Sequence, residues 1–491
     1  MKEVQNDSSG ACTLIKRLNK SERSYITKKL SASKGNKLHQ QLFDIVTKTN
    51  SFEEEEIKQL FKSSTESTNY TLIKSQLFEL LLNYLSELNT DSSIELALLQ
   101  KLKQASILSG KLLRQQAMKI AHSVLKESEK QDFYAIQLKA LEQIIELAIR
   151  LQDLDEIEKA VGKVSALIKK QETHLHLFNL THQANYTFFK LSAKPEFKSL
   201  FEALKEKIIE PEDKSIKLQS AYHHLKGFVT MVYDCDYEKA LYHFKKNLEL
   251  LGNNKEYINA HPQIFQTASM NVAICSQSIN DEEGFWIALE NANLITKSTD
   301  YEYADRLGNI TILKQSFLQD RNKHRESVEL IENLGEELNS NLNQMPDGVR
   351  LVLSINCILS YSYCKEWKKA LKWNNAILNE QIDVANDLVC FNKMINLIIH
   401  YELNNLDLIE TLLPNIFRYL VARNYYNGSF KLVYDFFQNL IKDYSLEQEV
   451  KLLKTLNSEQ QKLMGEATFN LQEVNQFVFD WSSEKINRIE K

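Results

Sequence analysis

Apolar residues recur at intervals of three, four and seven along most of the chain, the spacing that lays one face of an α-helix against a core. The clearest run passes through Tyr237, Ala240, Leu241, Phe244, Leu248 and Leu251, with Asp236 placed to cap the helix that carries them. Shorter runs with the same spacing join Leu42, Ile45 and Val46, then Ile57, Leu60 and Phe61, then Leu77, Leu81, Tyr84, Leu85 and Leu88. Helix starts are marked by capping boxes, in which a side-chain oxygen accepts a first-turn amide and a glutamate three residues on reaches back. Asn19-Lys-Ser-Glu22 and Ser51-Phe-Glu-Glu54 have this form, and Ser92-Ser-Ile-Glu95 has it in a shifted form with Asp91 and Ser92 both available. The pattern divides the chain into a polar, flexible stretch over 1–15, a helical domain of three or four helices over 16–92, and a long regular region over 93–440. In that region amphipathic segments alternate with short polar joints. A final segment, 441–491, shows helix starts at Ser445-Leu-Glu-Gln448 and Ser458-Glu-Gln-Gln461 and ends in Phe477, Phe479 and Trp481. It reads as the cap that a stack of helices needs over its last apolar face.

Composition sharpens the fold class. The 491 residues include only 12 glycines and 5 prolines, whereas strand-rich folds consume both in turns. The expectation is an all-α protein, and 43% hydrophobic residues suffice for a large core. No run approaches the 18 apolar residues of a membrane helix; the densest, Leu77 to Leu82, is broken by Glu79. The N-terminal residues lack the apolar core of a secretory signal. The six cysteines form no Cys-x-x-Cys pair, so buried thiols in a reducing, cytoplasmic setting are expected. Net charge is −5, but residues 1–50 carry ten Lys/Arg against four Asp/Glu and residues 51–100 carry three against nine.

The run Asp236-Tyr237-Glu-Lys-Ala240-Leu-Tyr-His-Phe244 resembles the second helix of a tetratricopeptide repeat. An aromatic follows an acidic turn, and a small alanine stands where the paired helix crosses. Gly227 occupies the place of the small first-helix residue, with one extra residue before Ala240. Similar runs are Glu366-Trp367-Lys-Lys-Ala370-Leu, Gly284-Phe-Trp-Ile-Ala288-Leu and Asp155-Glu-Ile-Glu-Lys-Ala160. They do not recur on the strict 34-residue period of the ideal repeat. The resemblance implies a right-handed α-solenoid whose first helices line a concave groove. In peptide-binding members of that family, groove asparagines hold a ligand's backbone, since a carboxamide offers both a donor and an acceptor. Asn271, Asn309, Asn356 and Asn396, inside otherwise apolar first helices, are the candidates here. A small helical domain ahead of a repeat array is similar in layout to bacterial peptide-responsive tetratricopeptide receptors.

Chemistry is sparse. There is no phosphate-cradling glycine loop, no Gly-x-Ser-x-Gly elbow and no His-Glu-x-x-His pair. Neither His174, His176 and His182 nor His223 and His224 have the three- or four-residue spacing of ligands on one helix face. Adjacent carboxylates such as Glu282 with Glu283 and Glu336 with Glu337 read as solvated helix surface. The basic residues Lys16, Arg17, Lys20, Arg23, Lys28, Lys29, Lys34 and Lys37 form a segment that can touch phosphates, but only Tyr25 is at hand to stack on a base. Pairing with the acidic helix that begins at Glu53 is the favoured reading. The expectation is a protein without enzymatic activity or cofactor. Its groove, over roughly residues 220–420, takes a protein or peptide partner. Nucleic acid is a less favoured partner, and a membrane is not expected.

Overall fold

Long amphipathic runs with almost no interior proline leave the helix as the natural way to pair every buried backbone group. The computed structural model describes residues 10–32, 37–49, 54–65, 69–88, 93–191, 196–295, 299–378, 386–442, 445–464 and 469–490. Among them are 25 α-helices and no strand. No helix among the described residues is long and apolar enough to cross a membrane. Two compact units are present: one built mainly from residues up to Leu175, with Ser215–Leu218 and Lys255–Ala260, and a second from the remainder. The expected division after residue 92 falls inside the first of these.

In the first unit, five helices (Gly10–Arg17, Lys20–Ala32, Lys37–Lys48, Glu54–Ser64 and Tyr70–Leu88) surround a core of Ile15, Ile26, Leu42, Phe43, Phe61, Leu77 and Leu81. This exceeds the three or four helices expected. The extra element, Gly10–Arg17, begins inside the stretch assigned to a flexible terminus, because Ala11 and Ile15 are both buried. Residues 1–9 lie outside the described ones, as do Ser51, Asp91 and Ser92 of two expected capping boxes. Ser93, not Asp91 or Ser92, caps Ile94–Gly110, its hydroxyl accepting the Leu96 amide at 3.1 Å. The Asn19 box is closed in both directions, each bond 2.9 Å. Lys29 pairs with Glu87 at 2.7 Å rather than with the glutamates near 54, because Tyr70–Leu88 packs on its helix. A separate core, including Leu98, Val124, Ile136, Leu141 and Ile144, holds the helices Ile94–Gly110, Arg114–Lys130 and Tyr134–Leu151.

In the second unit helices alternate in a regular way. Pro262–Ser278 pairs with Glu282–Asn293, Asp300–Asp320 with His324–Asn333, Asp347–Tyr363 with Trp367–Leu378, and Asn386–Glu402 with Leu406–Ala422. Each first helix of these pairs also packs on the first helix of the next pair. The turns share one construction. Asn280, Asn322, Lys365 and Asn404 adopt φ between 57° and 64°, and the residue after each donates its amide to the carbonyl five positions back, at 2.8–2.9 Å. This is the left-handed helix stop that satisfies an orphan carbonyl. Cys235 adopts the same conformation before Tyr237–Gly252. The left-handed residues at 235, 280, 322, 365 and 404 stand 45, 42, 43 and 39 residues apart.

Crossing points are tight. A Cβ on Gly227 would lie 2.7 Å from the ring of Phe244, which is fully buried. Ala240, Ala288 and Ala370 are buried, while Tyr237 and Trp367 are half-buried against the cores. At the C-terminal side, Ser445 caps Leu446–Leu463, and that helix runs unbroken through Ser458, where a second start was expected. No helix breaker interrupts it, and Asn457 is drawn into bonds with Ser482 and Ser483 of Phe469–Ile489. Phe469–Ile489 is also fastened to Asn386–Glu402, through Trp481 and Lys485 on Glu402 at 2.9 and 3.1 Å.

Candidate binding site

The four expected asparagines sit on four successive first helices of the second unit, and each of those helices packs on the next. The structure therefore aligns their helices without joining the amides to one another. Asn271 is half-buried, 3.4 Å from Nδ1 of His224. Asn309 is half-buried and donates to the backbone oxygen and the carboxylate of Asp305, both at 2.9 Å. Burial pushes the Asp305 carboxyl up, against the bonds it accepts from Gln266 and Asn309. Asn356 and Asn396 are only 5% exposed, and Asn396 accepts a bond from buried Asn374 at 2.8 Å. Asn356 and Asn396 are thus enclosed in the interior, whereas Asn271 and Asn309 remain partly exposed.

Polar side chains that the periodicity does not single out stitch the first helices together. Gln277 donates to Ser316 at 3.3 Å and to Asp320. Gln319 donates to Ser360 at 2.8 Å and to the Asn356 carbonyl at 2.9 Å. Beyond these contacts lies a cavity of about 440 Å³ lined by Gln319, Asp320, Asn322, His324, Leu359, Tyr363, Gln476 and Asp480. The turn at Asn322 sets it up. Its left-handed backbone stops Asp300–Asp320, and His324 opens the next helix stacked on Tyr363, ring centroids 4.0 Å apart and planes 9° from parallel. Asp480 accepts the Tyr363 hydroxyl at 3.0 Å and the Gln476 amide at 2.8 Å. Burial holds the His324 imidazole below its ordinary pKa, with the nearby Asp480 charge opposing. The site offers carboxylates, amides and a stacked aromatic pair, groups able to hydrogen-bond a polar guest.

The remaining candidates resolve differently. Among the described residues no group of three or more His, Cys, Asp or Glu is placed to hold a metal ion. His223 meets His243 across a helix pair, their Nδ1 atoms 3.1 Å apart, a contact that local spacing does not reveal. Glu337 accepts the Tyr303 hydroxyl. Of the basic N-terminal residues, Lys16 donates to the Thr49 carbonyl, Arg23 to the Lys16 carbonyl at 3.0 Å, and Lys29 is paired with Glu87. Lys34 lies outside the described residues. No family model matches the chain, and no curated protein is found similar to it.

Proposed function

We propose that this protein is a non-enzymatic interaction scaffold. In this reading its second unit is a right-handed, tetratricopeptide-like α-solenoid that receives an extended peptide or a partner's helix along its first helices. The observation that carries the reading is the continuous packing of the first helices Pro262–Ser278, Asp300–Asp320, Asp347–Tyr363 and Asn386–Glu402, the first three cross-linked by side-chain amides and bordered by a polar cavity. A layer of this kind is a preformed surface, so a ligand loses little free energy to reordering the protein. Helical repeat proteins bind along such extended surfaces.

The test is selection of a random peptide display library on the immobilised full chain, followed by binding of the enriched peptides to the parent and to an N271A/N309A variant. Both asparagines are half-buried, so the variant is expected to keep its fold. Enriched peptides should bind the variant about tenfold more weakly, the loss of roughly one or two hydrogen bonds. A library that enriches nothing, or peptides that bind both proteins equally, would reject the reading.

A further inference from the structure

We infer that the cavity at the Asn322 turn receives the guanidinium of an arginine carried by the peptide or partner. This rests on the scaffold reading and names the side chain that its most polar point selects. Asp320 and Asp480 both border the cavity, and neither has a lysine or arginine within ion-pair distance among the described residues. Their neighbours differ. Glu326, Glu329, Glu332, Glu366, Glu402 and Glu484 each have such a partner. The two aspartates are instead held by neutral donors: Gln277 on Asp320, and Tyr363 and Gln476 on Asp480. These bonds fix the carboxylates while leaving full negative charge and unused lone pairs. No lysine or arginine lines the cavity, so a cation entering it meets uncompensated charge.

The remaining lining decides which cation. His324 and Tyr363, stacked on each other, both line the cavity, and Phe477 packs edge-on with Tyr363, 5.4 Å between centroids. Burial favours the neutral imidazole, so it adds no repelling charge. A planar guanidinium stacks on such rings and presents its N–H groups as a fork that fits carboxylates, whereas an ammonium is a compact, strongly hydrated charge. Gln319 spends its NH₂ on Ser360 and the Asn356 carbonyl, which leaves its own carbonyl oxygen as a further acceptor. Preorganised acceptors of this kind lower the cost of ordering the site on binding.

The probe is the blocked pentapeptide Ac-Ala-Ala-Arg-Ala-Ala-NH₂, titrated against the full chain by ligand-observed saturation-transfer NMR. Counterparts with citrulline or lysine replace the arginine. The arginine peptide should bind, citrulline should weaken it about tenfold or more, and lysine should weaken it several-fold. D320N and D480N should each weaken the arginine peptide about tenfold while leaving the circular-dichroism melting curve in place. The citrulline arm changes only the ligand, so it stands even if a variant fails to fold. Equal binding of arginine and citrulline, or folded D320N and D480N proteins that bind like the parent, would overturn the inference. Equal binding of lysine would also overturn it, since the site would then read charge alone. Selected peptides that depend on Asn271 and Asn309 but on no arginine would sink this inference and leave the scaffold standing. Failure of the selection itself would remove the scaffold.

Discussion

His223 and His243 place two ring nitrogens 3.1 Å apart, so one imidazole donates and the other must be neutral to accept. Burial, and then the neighbouring His223, hold His243 down at about 4, against the opposing charge of Glu210; burial also lowers His223. His174 is likewise held at about 4, by burial and by the Lys217 charge. A histidine whose folded pKa lies below its unfolded value binds fewer protons in the native state, so stability falls as pH drops below the unfolded value. The melting temperature is therefore expected to be flat above about pH 7 and to decline between about pH 6.5 and 4, the window set by the ordinary histidine pKa and the lowered ones. An H243Q variant should show a shallower decline; an unchanged slope would mean that this pair does not contribute. The thiols offer a second residue-scale check. Burial pushes Cys275 and Cys357 up to about 12, while Cys235 is exposed in a turn. A thiolate is the reactive form. Native protein treated with Ellman's reagent should be modified at Cys235 and spared at Cys275 and Cys357 until it is unfolded, as peptide mapping would show.

Helix pairs are closed by small residues and by one kind of turn. Replacing Gly227 with alanine drives a methyl against Phe244, which is fully buried and cannot retreat. G227A should cost about 1–3 kcal/mol in urea unfolding, the usual range for overpacking. Adding F244L to G227A should restore part of that loss, whereas F244L in the parent should only destabilise. Additive losses would mean that the two residues do not oppose each other. Much of this scale was legible in the chain. Asp236 caps its helix through the Lys239 amide at 3.0 Å, and Asn19 and Glu22 close their box, because caps are written in adjacent residues. The turns were harder to read. Asn280, Asn322 and Asn404 tolerate the left-handed backbone better than most residues, but Lys365 and Cys235 take the same conformation with no such signal. Their spacing of 39 to 45 residues also departs from a 34-residue period.

At the scale of the whole molecule, hydrophobic period and scarcity of glycine and proline were enough for the all-α class. The cavity was not legible. Its lining gathers residues from Gln319 to Tyr363 and from Gln476 and Asp480, more than 100 positions further on, and no short spacing connects them. Burial was equally hidden. Asn356 and Asn396 sit in helices as apolar as the one around Asn271, yet only packing reveals that they face the interior. The central claim is that the first helices of the second unit form the receiving surface. The most direct measurement is hydrogen-exchange mass spectrometry of the full chain with and without a display-selected peptide. The account predicts slowed exchange in Pro262–Ser278, Asp300–Asp320 and Asp347–Tyr363, with Glu282–Asn293 and Trp367–Leu378 nearly unchanged. Protection confined to those second helices, or to residues 10–88, would contradict it.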